Sequence, residues 1–271
     1  MRILFVAPTP PVPTSGGRTR LYNLIKQLAD RHEIHVLSLV QPDEYALLQT
    51  VEPYCKRIET VPFAPFVSLG AWQNRLQGWR RILLNPRPHY TLTFPIDELR
   101  APLRTLLASH RYDVVVLQGL YVVELENEAH GVPVILATEN IESNIARQNL
   151  SNAQNAVHRL RDKLEWHKLR DYEYEMVRRF KVCIAVSELD VEALRKVSPH
   201  TEVHLVPNGV DSLGFLPKDA ARQPKDILFF GTLNYGPNAD GIIWFCREML
   251  PRVLSEVPDA RLVIVGKDPP D

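Results

Sequence analysis

The feature that most constrains the fold of this chain is an alternation of short apolar runs with segments of helical spacing. Segments such as Leu21–Leu28 carry apolar residues three or four positions apart, as in an amphipathic helix. The apolar runs are too short for helices and predict buried strands: Ile3–Val6, Ile34–Leu39, Val114–Leu117, Val134–Ala137, Val182–Val186 and Val203–Val206. Buried strands that alternate with helices predict an α/β fold with a parallel sheet covered on both faces.

The organisation of the sequence changes after Val206–Asp211, which reads VPNGVD. The following residues are irregular and proline-containing, which predicts a linker. Beyond them, a strand at Ile227–Phe230, a helix around 241–257 and a strand at Arg261–Val265 form one β-α-β unit, which has little core of its own. We therefore predict a first domain, a linker and an incomplete second domain of a longer protein, at residues 1–211, 212–225 and 226–271 respectively.

Composition argues against several classes of partner. Lys and Arg number 32 and Asp and Glu number 32, so the net charge of zero gives no overall attraction to nucleic acid. Cys55, Cys183 and Cys246 are far apart, which predicts free thiols of a reducing cytoplasm and no zinc site. His32 and His35 span a helix–strand junction and lack metal-ligand spacing. No apolar run approaches the ~18 residues of a membrane-spanning helix.

Two adjacent glycines, Gly16 and Gly17, separate the first predicted strand from the first helix in the sequence PTSGGRTR. In an open α/β sheet, the carboxyl ends of strands and the N–H groups that begin the next helix form a crevice that favours anions. A missing Cβ lets a phosphate or a sugar approach the backbone closely. A tight turn with positive φ, or a helix cap at Thr14 or Ser15, explains the same glycines without a ligand, so both interpretations stay open.

Other nucleotide-binding motifs are absent from the sequence. There is no G-x-G-x-x-G, and the second predicted strand ends in Leu39–Gln41 without the acid that binds ribose in a dinucleotide site, which argues against an NAD enzyme. Gly266-Lys267 is followed by Asp268, so a phosphate-binding loop of the ATPase type is also missing. The nucleophile motif G-x-S-x-G of α/β-hydrolases does not occur.

Four segments resemble, in the right order, landmarks of the family 4 glycosyltransferases, which have the GT-B fold. They read RILFVAPTPPVPTSGGRTRLYNLIKQLADRHEIHVLSL, CIAVSELDVEAL, VHLVPNGVD and ILFFGTLNYGPNADGIIWF, and the resemblance covers nearly the whole chain. The stretch GTLNYGPNADGIIWF resembles a bacterial subgroup associated with exopolysaccharide and related surface-glycan synthesis. The family implies two Rossmann-like parallel-sheet domains with the active site in the cleft, the second domain being truncated here to one β-α-β unit.

The resemblance implies a retaining glycosyltransferase that moves a sugar from a nucleotide-sugar donor to a glycan or lipid-linked acceptor, without a metal or further cofactor. The acceptor is expected on the first domain and the donor mostly on the second. Two glycine turns of the family match this sequence at six positions near the donor: Gly16, Gly17 and Arg18 in the first domain, and Gly231, Thr232 and Asn234 in the second.

The sequence departs from the family pattern at two places. The family usually carries a histidine near the reacting sugar, and the matching position is Glu139, followed by the Asn140 of the subgroup's His-Asn pair. We predict Glu139 and Asn140 as catalytic residues, since a glutamate accepts hydrogen bonds or a proton; a polar strand end or lost activity explains Glu139 equally. The Arg and Lys that hold the donor phosphates in many members are here Thr232 and Asn238.

The family's paired donor-binding glutamates fall outside this chain, so we expect the chain alone to be inactive. Two other functions stay open. A GT-B nucleotide-sugar epimerase would share the fold and the nucleotide, and a non-catalytic binding or scaffold domain would fit the departures at Glu139 and Thr232.

Residues Thr60–Ile96 contain no acid but carry four arginines, Arg75, Arg80, Arg81 and Arg87. Among these residues, a narrow apolar stripe of helical spacing is formed by Leu69, Trp72, Leu76, Trp79 and Leu83. The pattern predicts either a helix packed in the core or a helix that meets an anionic membrane or a lipid-pyrophosphate acceptor. We expect a cytoplasmic protein, and on the second interpretation this helix gives it peripheral contact with the inner membrane.

Overall fold

The computed structural model describes residues 1–64, 87–150, 156–212, 214 and 224–267. The chain divides into two compact units, a first unit Met1–Gly209 and a second unit Val210–Asp271. The arginine-rich apolar stripe at 69–83 and most of the linker predicted at 212–225 lie outside the described residues. Among the described helices, none combines the length and the apolar character needed to cross a bilayer.

The first unit is organised around a parallel sheet. Its strands pair in the order β3-β2-β1-β4-β5-β6-β7. They are β1 (Arg2–Ala7), β2 (Glu33–Val40), β3 (Arg57–Pro62), β4 (Val114–Gln118), β5 (Val134–Ala137), β6 (Val182–Ala185) and β7 (Glu202–Leu205). Because β1 pairs with β2 on one side and β4 on the other, the strand order reverses there, which is where open α/β sheets form a ligand crevice.

Helices cover both faces of this sheet, which confirms the α/β fold. Alternate residues of β1 enter different cores: Leu4 and Val6 pack with the helices of one face, and Ile3 and Phe5 pack with those of the other. The α-helices are α1 (Gly16–Ala29), α2 (Arg100–Ser109), α3 (Glu142–Asn149), α4 (Ala156–Val177) and α5 (Glu188–Val197). Short 3-10 helices occupy Pro42–Thr50, Glu52–Tyr54, His89–Leu92, Ile96–Leu99 and Leu120–Glu128.

Strand β3 is a strand that the apolar pattern does not predict. Its sequence RIETVP has no continuous apolar run, and its residues are half-buried or exposed. It pairs with β2 alone, at the edge of the sheet, where an edge strand needs less apolar surface than a central one. The sheet therefore extends one strand further than the sequence indicates.

The second unit consists of one β-α-β unit with the parallel strands β8 (Asp226–Phe230) and β9 (Arg261–Val265). The connection contains α6 (Gly236–Trp244), a π-helical turn at Phe245–Met249 and α7 (Leu250–Glu256). Apolar side chains of this unit stay exposed, including Phe230 at 78%.

A buried polar cluster lies at the amino-terminal edge of the large sheet, opposite the crevice. The His35 side chain, 2% exposed, is hydrogen-bonded through Nδ1 to the Tyr112 hydroxyl (2.8 Å) and through Nε2 to the Glu33 carboxylate (3.0 Å). Burial lowers the pKa of His35 below 6.5, against the opposing effect of Glu33, and the nearby His110 and Arg2 lower it further. The fold therefore favours the neutral imidazole.

This cluster predicts a loss of stability in mild acid. Because the pKa of His35 is lower in the folded than in the unfolded chain, its contribution is present above about pH 6.5 and is lost as the pH falls. From pH 7.5 to 5.5, we expect the free energy of unfolding of the wild type to fall relative to that of His35→Gln, measured by urea denaturation. The exposed His200→Gln is the control and should behave as the wild type; equal pH slopes in all three proteins would contradict the role of His35.

Candidate functional site

A cavity of about 250 Å³ opens at the carboxyl edge of the large sheet. It is lined by the residues that follow β1, β4 and β5, by the first turn of α1 and by an aromatic group: Ala7, Pro8, Thr9, Ser15, Gly17, Arg18, Leu21, Tyr90, Phe94, Gln118, Gly119, Leu120, Tyr121, Thr138, Glu139, Asn140 and Glu142. The cavity lies at the reversal of strand order, the position at which this architecture binds ligands.

The structure brings most of the first-unit site residues predicted from sequence into this cavity. Gly17, Arg18, Glu139 and Asn140 line it, although more than a hundred positions separate Gly17 from Glu139. Gly16 begins α1 beside the cavity but is not one of its lining residues.

The notable property of Gly17 is a close neighbour and not its backbone conformation. Among the described glycines, positive φ occurs at Gly119 and Gly131, which excludes that reason for Gly16 and Gly17. The N-cap residue of α1, Ser15, makes no side-chain capping bond. A Cβ placed on Gly17 would overlap the Glu139 carboxylate, at 2.6 Å from Cδ and 2.7 Å from Oε1, whereas a Cβ on Gly16 would meet nothing within 4 Å. The group that approaches the backbone is therefore the side chain of Glu139, at the positive end of α1.

Gln118 holds the Glu139 carboxylate from the other side. Its Nε2 donates a hydrogen bond of 2.8 Å to Glu139 Oε1. Gln118 ends β4 and is only 7% exposed, and its own Oε1 is buried without a hydrogen-bond partner among the described residues. Since buried polar atoms are normally paired, this oxygen is an unmet acceptor in the wall of the cavity.

The cation that lines the cavity is already paired. Arg18 Nη1 forms an ion pair with Glu44, a buried residue whose other carboxylate oxygen accepts from the backbone N–H of Gln41 (3.1 Å). This ion pair joins α1 to the 3-10 helix at Pro42–Thr50 and neutralises the charge of Arg18. The sequence pattern gave Arg18 a substrate-binding role, and the structure shows its guanidinium bound to the protein.

Arg20 is a structural neighbour of the site that the sequence pattern did not single out. It donates hydrogen bonds to the carbonyl oxygens of Val206 (2.5 Å) and Pro207 (2.9 Å) and to Asn208 Oδ1 (3.0 Å). Burial lowers its pKa, and the Glu139 carboxylate opposes this effect. Arg20 thereby ties the segment after β7 to α1.

Glu142, three residues after Glu139, is a second carboxyl of the cavity that the sequence pattern missed. Its carboxylate accepts hydrogen bonds from the Tyr90 hydroxyl and the Asn140 amide. Burial raises its pKa to about 7 against these bonds, and the charges of Glu173 and Glu139 raise it further. The sequence signal was the repeated glutamate in TENIES directly after a predicted strand.

Glu173 of α4 positions Glu142. Its buried carboxylate (4% exposed) accepts the backbone N–H groups of Glu142 (2.8 Å) and Ser143 (3.1 Å), which begin α3. Burial raises the pKa of Glu173. A side chain from one helix thus caps the first turn of another.

The second-unit site residues form a separate turn after β8. The backbone N–H of Gly231 donates to the Val265 carbonyl (3.0 Å), so this donor is occupied within the protein. Asn238 Nδ2 donates to the Thr232 carbonyl (2.9 Å), and Asn234 lies in the same turn. Asn238 therefore holds the turn in shape at a position where the resemblance led us to look for a basic residue. Throughout the described part of the chain, no three or more His, Cys, Asp or Glu side chains form a metal-binding group.

Comparison with known proteins identifies related families and folds. The family model described as Glycosyltransferase Family 4 matches residues 14–212, well over half of the chain. No curated protein matches the sequence. The solved structure of Phytolacca americana UGT2 with UDP-2fluoro-glucose and pterostilbene is similar, with a TM-score of 0.52 and 14% identity over 99% of this chain and 72% of that one. Arabidopsis thaliana UGT89C1 with UDP has a TM-score of 0.52 and 15% identity over 100% of this chain and 68% of that one. These likenesses show the GT-B fold.

The contact between Gly17 and Glu139 predicts different effects for two adjacent glycines. Gly17→Ala should displace the Glu139 carboxylate, because the added methyl group takes its place. The carboxylate is the end of a flexible side chain held by a hydrogen bond from Gln118, so we expect the displacement to cost about 1 kcal/mol of unfolding free energy relative to Gly16→Ala. Gly16→Ala meets open space and serves as the matched control. In a Glu139→Ala background the two variants should be equally stable in urea denaturation. A cost of Gly17→Ala that survives in that background would contradict the contact.

The buried Glu142 predicts a stabilising substitution at high pH. Because the fold raises its pKa from 4.5 to about 7, burial favours the neutral carboxyl, and its ionisation destabilises the protein as the pH rises through 7. Glu139 and Glu173 add to this effect, and Tyr90 and Asn140 oppose it. Glu142→Gln should match the wild type near pH 4.5 and exceed it by up to about 3 kcal/mol at pH 8.5, measured by urea denaturation.

The exposed Glu192→Gln is the control for this substitution and should follow the wild type at both pH values. A wild type and Glu142→Gln with parallel pH profiles would show that Glu142 ionises normally in the folded protein.

Proposed function

The chain belongs to glycosyltransferase family 4, and from this premise we propose that it acts in the transfer of a sugar from a nucleotide-sugar donor to a hydroxyl group of an acceptor. The observation that carries the proposal is the convergence of Gly17, Gln118 and Glu139 in one cavity at the carboxyl edge of the sheet. In the transfer, the bond from the anomeric carbon to the diphosphate breaks and a bond to the acceptor oxygen forms. The diphosphate leaves with the electron pair, and the acceptor releases a proton.

The proposed roles follow from where charge develops in this reaction. Positive charge grows on the sugar as the bond breaks, and the Glu139 carboxylate is the group suited to stabilise it. Negative charge grows on the departing diphosphate. The N–H groups at the start of α1 favour such a charge, on the open side at Gly16, because the Glu139 carboxylate already takes the space at Gly17. The Gly231–Asn234 turn is proposed as the second phosphate contact. Arg18 is then a positioning residue, which holds the start of α1 to the 3-10 helix at Pro42–Thr50 through Glu44.

The finer features of the activity remain proposals that rest on the resemblance. We propose retention of anomeric configuration, no metal cofactor, a role in bacterial exopolysaccharide or related surface-glycan synthesis, and a cytoplasmic location with peripheral contact to the inner membrane through residues 60–96. NMR of the product would report its anomeric configuration, and sedimentation with anionic liposomes at low and high salt would report the membrane contact.

A transfer assay tests the central proposal. The protein as its gene encodes it is incubated with UDP-, GDP- and dTDP-sugars and with oligosaccharide acceptors, and the products are followed by mass spectrometry. We expect release of nucleoside diphosphate in step with a glycosylated acceptor, and we expect Glu139→Ala to lower kcat about 100-fold or more because it removes charge stabilisation. Glu192→Ala, far from the proposed machinery in sequence, is the control and should leave kcat unchanged.

Two results would contradict the proposal. Interconversion of the nucleotide sugar without any acceptor would identify an epimerase. If no donor gives either transfer or interconversion, a binding or scaffold role is the function that remains.

A further inference from the structure

An aromatic wall forms one side of the cavity. The rings of Tyr90 and Tyr121 stack with their centroids 4.0 Å apart and their planes at 15°, and Phe94 meets Tyr121 edge-on at 4.9 Å. All three residues line the cavity. Neither Tyr90 nor Tyr121 matches a segment that carries the family resemblance. A flat apolar wall with a few polar groups opposite is the composition of a site for a small ring-shaped ligand.

The polar groups that line the same cavity as this wall include hydrogen-bond acceptors. Gln118 Oε1 is buried and without a partner among the described residues, and Glu139 and Glu142 contribute carboxyl oxygens. The unmet oxygen of Gln118 is an independent sign of a ligand, because a buried acceptor is costly until a donor reaches it. The hydroxyl groups of a sugar ring are donors of the required kind.

The electrostatics of the cavity disfavour an anion at this wall. Glu139 and Glu142 are the carboxyls beside it, and Glu173 lies behind Glu142. Arg18 is the cation among the lining residues that the structure describes, and Glu44 neutralises it. A phosphate placed against Tyr90 and Glu142 would lie close to like charges without a free cation in this lining, whereas a neutral ring would not.

We propose that the cavity that Tyr121, Phe94, Gln118 and Glu142 line binds the acceptor substrate as an uncharged sugar ring. This inference rests on the proposed function and narrows it: the protein extends an existing saccharide and does not place the first sugar on a polyprenyl phosphate. An earlier glycosyl transfer must therefore supply its acceptor. Its product, one sugar longer and still rich in hydroxyl groups, suits a further transfer.

Equilibrium binding to the 271-residue chain tests the inference. The neutral probes are the methyl glycosides of glucose, galactose, mannose and rhamnose, and the anionic probes are the matching sugar 1-phosphates, each titrated by saturation-transfer NMR at pH 8. We expect at least one methyl glycoside to bind, and we expect the matching 1-phosphate to bind with an affinity at least about tenfold lower. Gln118→Met and Tyr121→Ala should each weaken the neutral probe about tenfold, since each removes one side of the site.

Glu142→Gln separates the charge effect from a folding defect. It removes a negative charge without removing volume, so it should reduce the difference in affinity between the neutral and the phosphorylated probe. Glu192→Gln is its matched control and should keep the difference in affinity that the wild type shows. The inference is overturned if no methyl glycoside binds, or if a 1-phosphate binds more tightly than its neutral counterpart and loses affinity in Gln118→Met.

The outcomes separate this inference from the proposed function. Transfer of sugar directly to polyprenyl phosphate, added as a further acceptor to the assay above, would leave the function standing and refute the neutral acceptor. Glycoside binding that depends on Gln118 and Tyr121, with no transfer from any donor, would support the sugar site and refute the transferase.

Discussion

The structure of the first unit depends on the parallel hydrogen-bonding of its sheet. Parallel pairing places the carboxyl ends of all the strands on one edge, and burial of both faces leaves that edge as the natural place for polar side chains. The reversal of order at β1 and β4 then opens a gap in the edge. Gly17, Gln118 and Glu139 meet there because each follows or ends a strand beside the reversal, or begins the helix after it.

The parts of this design that are local in sequence are the parts that sequence predicts. Apolar runs marked the central strands, and the glycine pair marked the turn after β1. Strand β3 was not predicted, because a strand at the edge of a sheet needs fewer apolar residues and so lacks the apolar run that indicates a strand. Glu142 and Arg20 could not be found from sequence for another reason, which is that their partners are distant in the chain. Glu142 is hydrogen-bonded to Tyr90, and Arg20 is hydrogen-bonded to Val206–Asn208.

The pairing of Gly17 with Glu139 changes how the family resemblance is interpreted. The resemblance placed a histidine at position 139 and explained Gly17 by the approach of a ligand. In this chain a carboxylate takes the histidine's place, and it is this carboxylate that fills the space above Gly17. The two positions therefore depend on each other, and the effect of a substitution at either one is set by the residue at the other.

The bonds from Glu173 to the first turn of α3 have a consequence for protein engineering. The segment 138–149 looks like a self-contained loop and short helix that could be moved to another scaffold to transplant the site. The first two N–H groups of its helix α3, however, are satisfied by a side chain of α4, some thirty positions downstream. A graft of the segment alone would leave these donors without their partner and Glu142 without its orientation, so the smallest portable piece must include α4.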